Sequence, residues 1–133
     1  MKSLKKNILV ILVLLSLSCS SDASPDVIIG KWMIYKAEYE HTVYEYEING
    51  QCGAQSLEML SNTFVTETYY SNADCSGFRA VTEWIWVKDG DGVYNIYMTG
   101  QTVPERTLVL TGNEIKVTEP GAITVIKYYR RAF

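Results

Sequence analysis

The residues of this chain that could do chemistry are few: three cysteines, one histidine and 15 carboxylates among 133 residues. His41 stands alone between Glu40 and Thr42, at the tip of an expected hairpin. A single imidazole cannot build a His-rich metal site, and no Gly-x-Ser-x-Gly elbow is present to supply a nucleophile for it. Asp89-Gly90-Asp91-Gly92 begins like a calcium loop, but its fifth and sixth positions are Val93 and Tyr94, where an EF-hand loop needs an oxygen ligand and a glycine. It reads as a tight turn whose glycines permit positive φ. Glu38, Glu40, Glu45, Glu47, Glu58, Glu67 and Glu83 mostly alternate with apolar residues, which places them on the solvent face of a half-buried sheet. No pair stands out as an acid and base held across a cleft. The chain is therefore expected to be no enzyme, with no metal and no cofactor.

Cys19 points to modification. Lys2, Lys5 and Lys6 precede an unbroken apolar run from Ile8 to Leu15, with small Ser16 and Ser18 just before the cysteine. The run is too short to cross a bilayer, which takes about 20 apolar residues, and has the length and flanks of a signal sequence. The segment resembles a lipobox, which implies cleavage before Cys19 and attachment of lipid to its sulfur, although Ser16 stands where the usual pattern has Leu. Residues 1–18 are thus expected to be a signal peptide, and 19–27 a lipidated cysteine with a flexible polar tether. Ser20 rather than Asp follows the cysteine, which by the same resemblance implies export to the outer membrane of a bacterial envelope. Loss of the leader would leave 9 basic and 15 acidic residues, a formal charge of −6. Such a domain is a poor partner for nucleic acid, so its membrane contact is expected to run through the lipid on Cys19.

Cys52 and Cys75 remain, an even pair for an oxidising compartment. A disulfide is expected, closing a loop of about 22 intervening residues; free thiols or a two-cysteine metal pair are the alternatives, the latter weak without histidine.

The elements that must position these residues are strands. Bulky runs over Trp32–Tyr39, Thr42–Ile48, Thr63–Tyr70, Arg79–Lys88, Val93–Thr99, Arg106–Leu110, Glu114–Thr118 and Ile123–Arg131 are separated by turn signals including Asn49-Gly50, Asp89 to Gly92, Thr111-Gly112-Asn113 and Glu119-Pro120-Gly121. Ser56–Leu60 suits a short strand or a helical turn. No long helical period occurs. Residues 28–133 are expected to form one all-β domain, a small antiparallel up-and-down barrel of about eight strands, with a β-sandwich as the alternative. Sixteen aromatic residues are the unusual feature of its composition. Trp84 and Trp86 share one strand face, and with Trp32, Phe64, Tyr70, Tyr97 and Tyr128 they are the candidates to line a ligand cavity; core and cross-strand packing is the competing role for each.

The opening Ile29-Gly30-Lys31-Trp32, the cysteine pair, the Trp84-Ile85-Trp86 strand and the following short-strand meander together resemble the lipocalin-like domains of bacterial lipoproteins, over about residues 28–131. The resemblance implies a barrel and an arginine on the last strand, Arg130 or Arg131, packed over Trp32. It also implies a small hydrophobic ligand in the interior. The alternative is a filled barrel that contacts another envelope protein without catalysis.

Overall fold

A computed structural model describes residues 26–49, 52–72, 74–77 and 79–133, with the side chains of Arg79 and Ala80 excepted. Eleven strands occur among these residues: β1 (Gly30–Tyr39), β2 (Thr42–Glu45), β3 (Ile48–Asn49), β4 (Cys52–Gly53), β5 (Gln55–Met59), β6 (Phe64–Tyr70), β7 (Arg79–Gly90), β8 (Val93–Tyr97), β9 (Arg106–Thr111), β10 (Glu114–Glu119) and β11 (Val125–Arg131). Strands β5 to β11 pair in chain order, every pair antiparallel, and β1 pairs with both β5 and β11. The sheet therefore closes on itself as an eight-stranded antiparallel barrel with β2 as an extra strand, and the sandwich alternative is set aside. Closure leaves the eight strands no open edge. All the described strands and the core lie between residues 26 and 133.

The turns follow from local chemistry. Between β7 and β8 the reversal falls at Asp91-Gly92, where Gly92 has φ +72° and an added Cβ would lie 2.8 Å from the Leu110 carbonyl oxygen. That oxygen belongs to a strand backbone, so only glycine fits without displacement. Ser56–Leu60, ambiguous in sequence, is strand β5 with Leu60 just beyond it.

β1 is shared by two neighbours along one edge. Its first half, Gly30 to Met33, pairs with β5; its second half, Lys36 to Tyr39, pairs with β2. A bulge between Ile34 and Lys36 marks the change. The extra residue turns Tyr35 and Lys36 both outward, so the inward set runs Trp32, Ile34, Ala37, Tyr39 rather than keeping a strict alternation. The short β3–β4 ribbon then folds over the outside of β1. Met33, on the outer face, is fully buried there with its Cε against Gly53. The expected Cys52–Cys75 disulfide is formed, with Cα atoms 5.2 Å apart, and it ties β4 to the β6–β7 loop.

The core lies inside the barrel. Trp32, Ile34, Leu57, Met59, Val65, Trp86, Tyr94, Ile96, Leu108, Ile115, Val117 and Tyr129 are buried against one another, together with Ile28 from the incoming chain. Each such side chain stabilises the fold by about 1.5–3 kcal/mol relative to exposure.

Candidate functional site: the two ends of the barrel

The two ends of the barrel differ in construction. At one end the chain enters as a plug. Trp32 Nε1 donates to the Ile28 carbonyl at 2.8 Å, and the Arg131 guanidinium lies 4.3 Å above the Trp32 ring. Arg131 also donates to the carbonyls of Ile29 and Val27. Of the two arginines the sequence offered, Arg131 takes this place, while Arg130 faces outward over Tyr35. Gly30, at φ +132°, is required by the same closure: a Cβ there would come within 2.6 Å of Arg131 Nη1. The sequence places Asp26 in the tether, yet it is bonded to the barrel. It accepts from the Ile28 amide, from Tyr94 Oη and from Lys88 Nζ. Desolvation opposes its ionisation, but these three donors prevail and hold its pKa below the usual aspartate value.

The other end carries polar groups inside the barrel wall. Glu67, read from its alternation as a solvent-facing carboxylate, is instead 1% exposed. The reason is that β6 directs Val65, Glu67 and Tyr69 inward and Phe64, Thr66 and Thr68 outward, and Glu67 has a cation waiting. Arg106 Nη1 spans its two oxygens at 2.8 and 2.9 Å, and Gln55 Nε2 also donates to it. Arg106 reaches Glu119 at 3.2 Å as well, and Lys127 Nζ holds Glu119 at 2.9 Å. Two anions and two cations thus form one internal network with no net charge. The Arg106 guanidinium also lies 4.9 Å over the Trp84 ring. Desolvation alone would lower the pKa of Arg106, but Glu67 and Glu119 outweigh it and raise it, so the group stays charged.

Among the described residues, two buried donors in this half have no hydrogen-bond partner: Trp84 Nε1 and Tyr129 Oη. Tyr129 is fully buried, and its pKa is pushed well above the ordinary phenol value by desolvation and then by the nearby Glu67 and Glu119 charges. The hydroxyl therefore lies toward the ionic network rather than toward the plug. Tyr69, beside Glu67, is raised for the same two reasons, burial first.

At the same end of the barrel, where Tyr39 closes β1 opposite Val125, Tyr39, Tyr44 and Tyr46 line an open hollow of about 290 Å³. The Tyr39 and Tyr44 rings meet edge to face at 5.4 Å, and Tyr39 and Tyr46 pack on the core while Tyr44 is half exposed. A further hollow of about 270 Å³ lies outside the plugged end, between Asn113, Glu114, Arg130, Arg131 and Phe133.

The seven aromatic candidates divide between the faces. Trp32, Trp84 and Trp86 point into the barrel. Trp32 belongs to the plug, and Trp86 packs edge to face on Tyr94 with its Nε1 bonded to the Leu60 carbonyl, so among these three only Trp84 reaches the polar half with a free donor. Phe64, Tyr70, Tyr97 and Tyr128 lie on the outer face. Phe64 is 42% exposed, and Tyr128 sits under Lys36 Nζ at 3.9 Å. The residues that sequence reasoning missed are Tyr39, Tyr46, Gln55, Glu67, Tyr69, Arg106, Glu119, Lys127 and Tyr129. The available signal was weak: Arg106 and Lys127 each interrupt an otherwise apolar inward row, which on its own reads as a solvent position.

Cys19 and residues 1–25 lie outside the described residues. Among the described residues no group of three or more His, Cys, Asp or Glu could hold a metal ion, and no helix is long and apolar enough to cross a membrane. No family model matches this chain, and no curated protein or solved structure matches it either.

Proposed function

We propose that this chain is an exported, lipid-anchored bacterial lipoprotein, held at the outer membrane through Cys19, whose barrel binds a small hydrophobic ligand at the end away from the plug. The observation that carries the ligand reading is the asymmetry of the barrel. One end is sealed by Ile28, Trp32 and Arg131; the other end carries a tyrosine-lined hollow, and the interior of that half holds two buried donors without partners among the described residues. Concave, largely apolar walls with a few convergent polar groups are the usual make-up of a small-molecule site. The signal-like leader and the lipobox-like cysteine support the anchor, and Asp26, seven residues after Cys19, joins the barrel at its sealed end. A lipid on Cys19 would thus turn the hollow away from the membrane surface.

The ligand reading is tested by native mass spectrometry of the oxidised protein after incubation with a lipid extract of a bacterial envelope. A discrete added mass, weakened by Trp84→Ala, is the expected result; the bare protein mass alone contradicts it. The anchor is tested by expressing the full chain and its Cys19→Ser variant in a bacterial host. The first should fractionate with membranes carrying a diacylglycerol mass, and the second should not.

A second reading, a non-catalytic interaction module of the envelope, is favoured by one feature. Phe64, Ile85 and Tyr97 fall opposite one another across three strands and form an apolar row on the outer wall. Contiguous exposed apolar surface of this kind suits a protein partner.

A further inference from the structure

We infer that the polar half of the barrel receives the uncharged acceptor end of an amphipathic molecule, such as the carbonyl oxygen of an ester, ketone or amide, with Tyr129 Oη and Trp84 Nε1 as its donors. This rests on the ligand reading above and names the chemistry of the head group that the site would take. Arg106 and Lys127 are already matched by Glu67 and Glu119. A carboxylate or phosphate brought among them would meet two buried or half-buried anions and no unmatched cation within this network. An ammonium would meet the converse. A head group with a formal charge is therefore disfavoured, because charge is costly to bury without its own counter-ion.

Hydrogen bonding supplies the attraction. A buried donor left without an acceptor costs free energy that a correctly placed oxygen recovers. Tyr129 Oη is fully buried and unpartnered, and Trp84 Nε1 is unpartnered on the ring that Arg106 covers. The indole offers only a donor, so the missing group must accept. The remaining polar atoms of the network are occupied: Glu67 by Arg106, Gln55 and Tyr69, and Glu119 by Lys127 and Arg106. At the same end of the barrel the Tyr39, Tyr44 and Tyr46 rings offer apolar surface for a hydrocarbon or aromatic tail.

The test uses the oxidised protein and two probes with the same tail, methyl decanoate and decanoate, titrated at about pH 7, where the acid is ionised. Binding is followed by tryptophan fluorescence and by native mass. The ester is expected to bind at least about tenfold more tightly than the anion. Tyr129→Phe is expected to weaken the ester about three- to tenfold while raising the thermal midpoint of the ligand-free protein, since it removes an unpartnered hydroxyl. Trp84→Phe, which removes the other unpartnered donor, should weaken the ester to a similar degree. Equal or tighter binding of decanoate overturns the inference. So does a lower midpoint for ligand-free Tyr129→Phe, which would show that the hydroxyl is partnered. If the ester binds but neither substitution alters its affinity, the ligand reading stands and this inference fails; if neither probe binds the wild type, both fail.

Discussion

Arg106→Ala should be among the most damaging single substitutions in the barrel, and markedly worse than removing its partner by Glu67→Gln. Glu67 is 1% exposed, and its only ion-pair partner among the described residues is Arg106. Without the guanidinium, a carboxylate stays buried with Gln55 and Tyr69 as donors but no cation, which costs about 3–5 kcal/mol. A domain of this size is stable by only about 5–15 kcal/mol, so the thermal midpoint should fall by more than about 10 °C. The converse change is milder. A glutamine in place of Glu67 would keep the hydrogen-bonding shape, and Arg106 would keep Glu119 at 3.2 Å and partial contact with water, so the loss should be about 1–2 kcal/mol. Urea denaturation followed by circular dichroism measures both, and the double variant should be more stable than Arg106→Ala alone because it no longer buries a lone charge. An Arg106→Ala penalty no larger than that of Glu67→Gln would refute the reasoning and mean that Glu67 is far better solvated than its position implies.

Reduction of the Cys52–Cys75 bridge, or the paired Cys→Ser change, should cost about 3 kcal/mol on the chain-entropy view of a 23-residue separation, seen as a lower urea midpoint in the presence of a reductant. Gly92→Ala should destabilise by about 1–3 kcal/mol through its φ of +72° and the approach to Leu110, measured by thermal melting. Tyr129 has a raised folded pKa, so its contribution is complete below the unfolded value of about 10 and is lost as the pH rises above it, at up to about 1.4 kcal/mol per pH unit. Alkaline denaturation with tyrosinate absorbance should show this, and Tyr129→Phe should flatten the loss. Arg131→Lys should lower stability by about 1–2 kcal/mol, since the ammonium cannot both lie flat on Trp32 and serve the carbonyls of Ile29 and Val27; a denaturation series should show it.

The barrel was legible in the chain because its local signals agree. Turn dipeptides fall between period-two runs, Trp84 and Trp86 share the face opposite Ile85, and Gly30 with Trp32 marks the sealed first strand. The interior network was not legible, for a physical reason. On β6 the two faces read Val65, Glu67, Tyr69 and Phe64, Thr66, Thr68, Tyr70. Alternation alone sends the charged row to solvent and the aromatic row inward, the reverse of the fold. Only Arg106, nearly forty residues later, makes the inward choice favourable, and a pairing at that distance leaves no periodic trace. The bulge after Ile34 hides in the same way, because a phase change within β1 looks like an irregular strand until β2 and β5 are seen to share its edge.

The most direct test of the central claim, that ligand enters the end away from the plug, is the indole N–H spectrum of the domain by nuclear magnetic resonance as an envelope lipid extract is added. Three indole signals are expected, and two are already tied: Trp32 to the Ile28 carbonyl and Trp86 to the Leu60 carbonyl. Binding at the open half predicts that the Trp84 signal alone moves strongly, as its free N–H acquires an acceptor. An unmoved Trp84 signal, with backbone amide shifts in the same titration confined to the outer row of Phe64, Ile85 and Tyr97, would contradict this reading and identify the wall as the working surface.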